Sequence, residues 1–274
     1  MRLAVDGPHG RHEAFVYTGG KSFDPALPGL VFIHGAMHDH SVWTLLARWF
    51  AHHGFAVLAP DLPGHSQSAG PPPDSVESAA AWLLALADAV GLERTSWIGH
   101  SMGSLIALEA AAQAPERAEL LVMIGTAYPM TVSPALLASA RDDPFAAIDS
   151  VNAFSHSTLA GKPSYPGPGM WLHGANRALM RRVQSAGRGR NTFLGDFEAC
   201  NRYAGGLAAA SRVTCPTTLI LGERDQMTGP KQAAAIAAAL RARTVTLAAG
   251  HALMTEAPDA LLAALRGALG DGPV

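Results

Sequence analysis

Cysteine is nearly absent: two residues in 274, Cys200 and Cys215, neither in a CxxC pair. That excludes a disulfide framework and a thiolate zinc cluster, and both are expected to be inert thiols in a reducing, cytoplasmic setting. Charge is sparse too, at 15% of residues with a formal net charge of -2 and no long run of one sign. No basic surface for nucleic acid and no polybasic membrane anchor is expected. Long apolar runs are also missing. The longest, Ala79 to Val90, is too short to span a bilayer and carries Asp88. The stretch from Met1 to Phe15 has no apolar segment of the signal-peptide kind, so a cytoplasmic protein with no membrane contact is expected. What the chain does have is 49% hydrophobic residues, enough for a sizeable core.

Those residues fall into short apolar runs alternating with longer helical patterns, the rhythm of an α/β protein with a mostly parallel central sheet flanked by helices. Strands are expected at Leu3–Val5, Ala14–Tyr17, Val31–Ile33, Ala56–Ala59, Ser96–Ile98, Leu120–Ile124, Thr217–Leu221 and Thr244–Leu247. Helices are expected from Val42 to about His53 capped by Ser41, from Ser75 to Val90, from Met102 to Ala114, from Pro230 to Leu240, and from Pro258 to Leu269. Between about Tyr128 and Ala210 the rhythm stops. A Pro/Gly-rich stretch, Pro163–Gly169, sits there among short helical patterns. The division expected is a core of residues 1–127 and 211–274, with 128–210 inserted after the sixth strand as a helical cap. Such an insertion overhangs the carboxyl ends of the strands, where open α/β sheets bind ligands.

Gly99-His100-Ser101-Met102-Gly103 reads as a G-x-S-x-G turn between a strand and a helix. A serine hydroxyl is a weak nucleophile unless exposed and held beside a base, and a crowded strand-to-helix turn provides that exposure. The helix N-terminus favours the negative charge that develops nearby. Asp225 follows the strand Thr217–Leu221, and His251 follows Thr244–Leu247. Both belong to the same sheet edge as Ser101, in the chain order serine, acid, histidine. His251 can take the serine proton, and Asp225 can fix its tautomer. Glu223 is a rival acid but stands two residues nearer the strand. Backbone N–H groups for a developing oxyanion are expected from Met102, after the serine, and from Ala36 in the loop His34-Gly35-Ala36. His34 is expected to brace that loop.

Together, His34-Gly35, the segment Asp61 to His65, Gly99 to Gly103, Asp225 and Gly250-His251 resemble the α/β-hydrolase fold superfamily in its lidded, esterase-like branch. The resemblance covers both core flanks. It implies a serine hydrolase without cofactor, a cap over the site and oxyanion donors at Ala36 and Met102. Ser66 and Ser104 stand where members often have glycine, which puts local turn geometry in question. The expected activity is hydrolysis of a carboxylic ester with a small to medium apolar acyl group. C–C bond hydrolysis of a diketone-like substrate, a cofactor-free perhydrolase or haloperoxidase, and a non-catalytic ligand-binding protein are the alternatives. Met170, Trp171 and Phe193 are expected to line the acyl pocket. Asp61 is expected to hold a turn, Trp43 to pack, and His38-Asp39-His40 to form a polar rim rather than a metal site. Six arginines between Arg177 and Arg202 are expected to form a solvated helical surface.

Overall fold

A computed structural model describes residues 1–187 and 189–270; Arg188 of the arginine-rich segment lies outside them. Eight strands form one sheet in the order β1-β2-β4-β3-β5-β6-β7-β8. They are β1 (Arg2–Gly7), β2 (Gly10–Tyr17), β3 (Gly29–Ile33), β4 (Ala56–Pro60), β5 (Thr95–His100), β6 (Ala118–Ile124), β7 (Thr217–Gly222) and β8 (Arg243–Leu247). The antiparallel hairpin β1–β2 docks on β4, and β4 through β8 with β3 are parallel. The inner strands β3, β4, β5 and β7 are buried at every position, which is why their sequences are unbroken apolar or small runs rather than alternating ones.

Helices α1 (Thr44–Ala51) and α11 (Pro258–Leu269) cover one face of the sheet; α2 (Val76–Ala89) and α3 (Met102–Gln113) cover the other. Ser75 and Ser78 cap α2 reciprocally. The start of α1 differs from expectation. Asp39, not Ser41, is the capping residue: its carboxylate accepts the Ser41 N–H and opens a 3-10 turn, His40–Trp43, ahead of the α-helix. Trp43 packs at the base of that turn, fully buried, with its ring 5.2 Å from Phe32. Pro230–Ala233 is likewise a 3-10 turn before α9 (Ala234–Ala239).

After β6 the chain leaves the sheet for α4 (Pro134–Asp142), α5 (Pro144–Phe154), α6 (Leu172–Ala186), α7 (Thr192–Arg202) and α8 (Gly206–Ala210). Helices α4 to α7 share their own apolar cluster, built on Leu137, Ile148, Met180, Val183, Phe193 and Phe197. Met37, from the loop after β3, is buried in that cluster. The last part of the segment rejoins the sheet layer, where Cys200, Tyr203, Ala209 and Ala210 pack with residues of α3. The short α10 (Leu253–Glu256) then separates β8 from α11.

The strand register brings the chemistry to one edge. Ile33 pairs with Gly99, His100 with Ile124, Ile124 with Ile220, and Gly222 with Leu247. The loops that follow those strand ends carry Ala36, Ser101, Asp225 and His251. The β5–α3 turn is closely packed. A Cβ on Gly103 would stand 2.3 Å from the Ile33 carbonyl oxygen and 2.5 Å from that of His34. Gly103→Ala is therefore expected to cost about 3 kcal/mol or more, a fall of roughly 6 °C or more in Tm. Gly267, exposed inside α11 with open space around it, is the control. Gly267→Ala is expected to stabilise by about 0.5–1 kcal/mol through helix propensity. Thermal unfolding of the two variants beside the parent checks both, and equal effects would show that the crowding at Gly103 relaxes freely.

Candidate active site

Ser101 sits at the β5–α3 turn with φ +53° and ψ -122°, a conformation rare for a residue with a side chain. Close packing holds it there. A Cβ on Gly99 would collide with the Gly103 carbonyl, so strand and helix approach backbone to backbone and the residue between them is pushed outward. The Ser101 N–H donates to the Ile124 carbonyl at 2.9 Å. Its own carbonyl accepts from the Ser104 N–H, at 2.8 Å, and from the Ser104 hydroxyl. Ser104, which departs from the glycine common there, thus ties down the turn and also meets the Thr126 hydroxyl at 2.8 Å. Ser66 is the other departure. It takes φ +40°, the region that favours glycine, and its hydroxyl donates to Asp39.

Asp225 and His251 are brought together. His251 Nδ1 lies 2.8 Å from Asp225 Oδ2, both side chains almost wholly buried. Asp225 Oδ1 accepts the N–H groups of Met227 and Thr228 at 2.8 Å, and Oδ2 also accepts the Thr228 hydroxyl at 2.7 Å. Burial by itself raises the carboxyl pKa. The neighbouring His251 and the donors of Thr228 outweigh it and hold Asp225 well below the usual carboxylate range. An ionised Asp225 only accepts hydrogen bonds, so His251 Nδ1 carries the proton of this bond and Nε2 is turned away from Asp225. Glu223 is exposed and its backbone N–H pairs with Leu247; it is not at this bond.

Ser101 and His251 open on one cavity of about 340 Å³. Both line its wall, and no hydrogen bond joins the Ser101 hydroxyl to His251 or to another group among the described residues. Neither the Ala36 nor the Met102 backbone N–H is bonded to a protein acceptor among the described residues. His34 braces the Ala36 loop from below. Its Nδ1–H donates to the Gly35 carbonyl at 2.9 Å and its Nε2 accepts from the Leu62 N–H at 3.0 Å. Burial is the main reason its pKa is lowered to about 4, which suits a ring fixed in one neutral tautomer.

The far wall of the cavity comes from the helical segment: Leu136, Val151, Phe154, Met180, Phe197 and Cys200. Met170, Trp171 and Phe193 are not among the lining residues, and this corrects the expectation for the acyl pocket. Met170 and Trp171 lie outward, 45% and 59% exposed, in the turn before α6. Phe193 is fully buried inside the helical cluster, stacked on Phe197 at 4.3 Å. Phe197 reaches the cavity where Phe193 does not.

Other side chains hold the site together, and His100 and Glu256 among them have partners too distant in sequence to be read from it. His100 Nε2–H donates to the His251 carbonyl at 2.9 Å and steadies the histidine loop. Thr228 completes the Asp225 turn, and the spacing Asp-x-x-Thr was a readable sign of it. Glu256 accepts from the Gly250 N–H, the Ser157 N–H and the Ser157 hydroxyl, fastening the His251 loop to the chain after α5. Asp61 holds a turn as expected, accepting from the His40 N–H, His40 Nδ1 and the Gln67 N–H. Asp39, His40 and Asp61 converge closely enough to suggest metal ligands. Their oxygens are already occupied by donors from Ser41, Ser66, Arg182 and Gln67, which makes the cluster a hydrogen-bonded brace. Both thiols are free, and burial pushes each thiol pKa up.

The profile of the alpha/beta hydrolase family matches residues 30–264, and the chain belongs to that family. The chain is also similar to proteins of differing chemistry. A pimeloyl-[acyl-carrier protein] methyl ester esterase of Pectobacterium carotovorum is 36% identical over 98 residues, 35% of this chain and 36% of that protein. The enol-lactonase of Burkholderia xenovorans LB400 superposes with a TM-score of 0.83 at 23% identity, covering 98% of this chain and 99% of the other. The 2-hydroxy-6-oxo-6-phenylhexa-2,4-dienoate hydrolase of Rhodococcus sp. strain RHA1 superposes with a TM-score of 0.73 at 23% identity, covering 98% and 99%. The matches span 32% to 44% of the length of the curated relatives. No described helix is long and apolar enough to cross a membrane.

The histidines near the site make acid stability testable. His156 stacks on His173 at 4.7 Å, and burial first, then the neighbouring ring, lower its pKa to about 4. The unfolded chain, with a histidine pKa of about 6.5, binds the proton first as pH falls, so this group removes up to about 3 kcal/mol of stability between those values. His156→Phe keeps the stacking and removes the titration. Its Tm is expected to fall less steeply than the parent's as pH drops from about 6.5 to 4; parallel Tm curves would refute the assignment.

Proposed function

We propose that the protein is a serine hydrolase that cleaves an uncharged carboxylic ester with a small to medium apolar acyl group. Ser101 Oγ attacks the acyl carbon while His251 Nε2 takes its proton. The oxyanion is received by the Ala36 N–H, from the loop after β3, and by the Met102 N–H, at the N-terminus of α3. His251 returns the proton to the departing alkoxide, which leaves as the alcohol. Water, deprotonated by His251, then attacks the acyl-enzyme, and the acid is released with Ser101 restored. Residues 128–210 act as the cap, and their apolar wall holds the acyl chain. No step calls for a cofactor.

The observation that carries this reading is the bond between His251 and the ionised Asp225, on the same cavity as the unengaged Ser101 hydroxyl. The choice of an uncharged substrate rests on the lining. Among the described residues lining the cavity there is no lysine, arginine, aspartate or glutamate. A buried carboxylate without a cationic partner is costly. That disfavours a dienoate of the kind named for the Rhodococcus hydrolase, and with it the C–C bond reaction. The ester and lactone chemistry named for the Pectobacterium and Burkholderia proteins fits the neutral wall.

Ser101→Ala is expected to abolish labelling by a fluorophosphonate and to leave less than about one per cent of the rate. Asp225→Asn is expected to lower kcat by about a thousandfold, since an amide partner favours the wrong histidine tautomer; Glu223→Gln should be near neutral. Comparable losses at 223 and 225 would remove the assignment of the acid. Met180→Ala and Leu136→Ala are expected to shift kcat/KM toward longer p-nitrophenyl acyl chains, whereas Trp171→Ala leaves the chain-length profile unchanged. A faster rate on a carboxylate-bearing diketone than on every neutral ester would overturn the substrate class.

A further inference from the structure

The loop after β3 is held from the helical side as well as from the sheet. Asp196, on α7, is 3% exposed, and its Oδ2 accepts the Met37 N–H at 2.8 Å and lies 3.0 Å from His65 Nε2. Met37 directly follows Ala36 and takes φ +61°, a backbone state rarely held without a fixed partner. His65 is fully buried, and its Nδ1 faces the Pro63 carbonyl at 3.0 Å. Both ring nitrogens therefore face acceptors, which requires a proton on each when Asp196 is ionised. Burial opposes the charge, but the Asp196 carboxylate and the Pro63 carbonyl prevail and raise the His65 pKa. The result is a buried ion pair joining α7 to the loop after β4, and one of its oxygens anchors the peptide next to Ala36.

From this juxtaposition we infer that Asp196 is a positioning residue for the oxyanion hole: through the Met37 N–H it aims the Ala36 N–H at the reacting oxygen, so that the docked helical segment sets transition-state stabilisation as well as substrate fit. The inference rests on the serine-hydrolase reading of Ser101. His65 acts on the pair from the other side. It neutralises Asp196, which makes burial of the carboxylate tolerable. An amide at position 196 cannot replace the carboxylate while His65 is present. A neutral His65 that keeps its Nδ1–H on the Pro63 carbonyl needs a donor at Nε2, and the one amide atom facing it cannot both donate there and accept from Met37.

Variants that separate the anchor from the ion pair test the inference. Asp196→Asn is expected to lower kcat on a neutral p-nitrophenyl ester by about tenfold or more, with KM changed less than about threefold. The affinity of an alkyl boronic acid, whose tetrahedral Ser101 adduct uses the same donors, should fall in parallel. Exchanging the whole pair keeps the core free of unpaired charge, so two double variants remain folded even where the single one does not. In Asp196→Asn with His65→Leu the amide oxygen is free to accept from Met37, and kcat should recover to within about fivefold of the parent. In Asp196→Leu with His65→Leu no acceptor remains, and kcat should stay low. Equal kcat in the two double variants would overturn the inference, as would a loss confined to KM. A parent enzyme that neither labels with fluorophosphonate nor hydrolyses the ester would instead sink the serine-hydrolase reading, and the positioning role with it.

Discussion

The approach of three backbones at the β5–α3 turn governs the rest of the molecule. Gly99 meets the Gly103 carbonyl, and Gly103 meets the carbonyls of Ile33 and His34. No side chain fits in either gap, so β3, β5 and α3 are locked at van der Waals distance. Ser101 is left the only direction out, at a strained φ that the surrounding contacts overdetermine. The same contact fixes where the loop after β3 begins, because His34 is the residue whose carbonyl abuts Gly103. Nucleophile candidate and Ala36 amide are thus placed by one packing event rather than by two independent loops.

Around that turn the protein uses histidine mostly as a neutral, oriented hydrogen-bonding group. His34 and His100 are buried with lowered pKa, burial being the chief cause, and each donates one ring N–H to a backbone carbonyl. His65 is the opposite case, charged because both nitrogens meet acceptors and a carboxylate stands opposite. Neutral rings keep positive charge away from the cavity that His251 faces. In the proposed reaction this matters, since a nearby cation would oppose the imidazolium that forms on His251 during each proton transfer.

Much of this was legible in the chain because local rules and global fold agree. Buried parallel strands read as continuous apolar runs, Ser75 announces α2, and the polar residues just past strand ends, Ser101, Asp225 and His251, converge on one edge. The lining of the cavity was not legible. Periodicity marks Phe193 and Phe197 alike as apolar positions of α7, but which of them points to a void depends on where α4 and α6 pack. Trp171 looks like a pocket residue by composition and lies on the surface because it precedes α6 rather than belonging to its buried stripe. The partners of Asp196 and Glu256 lie 131 and 99 residues away, and no local pattern encodes such a bond.

Those long-range bonds change what the inserted helices are for. A lid that only covers a cavity needs apolar contact with its rim. Here the segment also reaches into the machinery beneath it. Asn176 meets His38, Arg182 meets Asp39, Asp196 meets Met37, and Ser157 meets Glu256 beside Gly250. Three of these contacts land on the loop that carries Ala36, and the fourth lands on α10, whose Glu256 also holds the Gly250 N–H beside His251. Buried charged hydrogen bonds are costly to break one partner at a time, so lifting the segment as a rigid lid would leave Asp196 without His65 and Met37 and strip Glu256 of its Ser157 donors, with only the Gly250 N–H left to it. Substrate entry is therefore better served by movement at the rim, where Phe154 lines the cavity yet is 54% exposed, than by displacement of α6 and α7. In the proposed ester hydrolysis, the helices lining the cavity are then held to the core loops by these bonds, and acyl selectivity would follow from the shape of that cavity rather than from an opening flap.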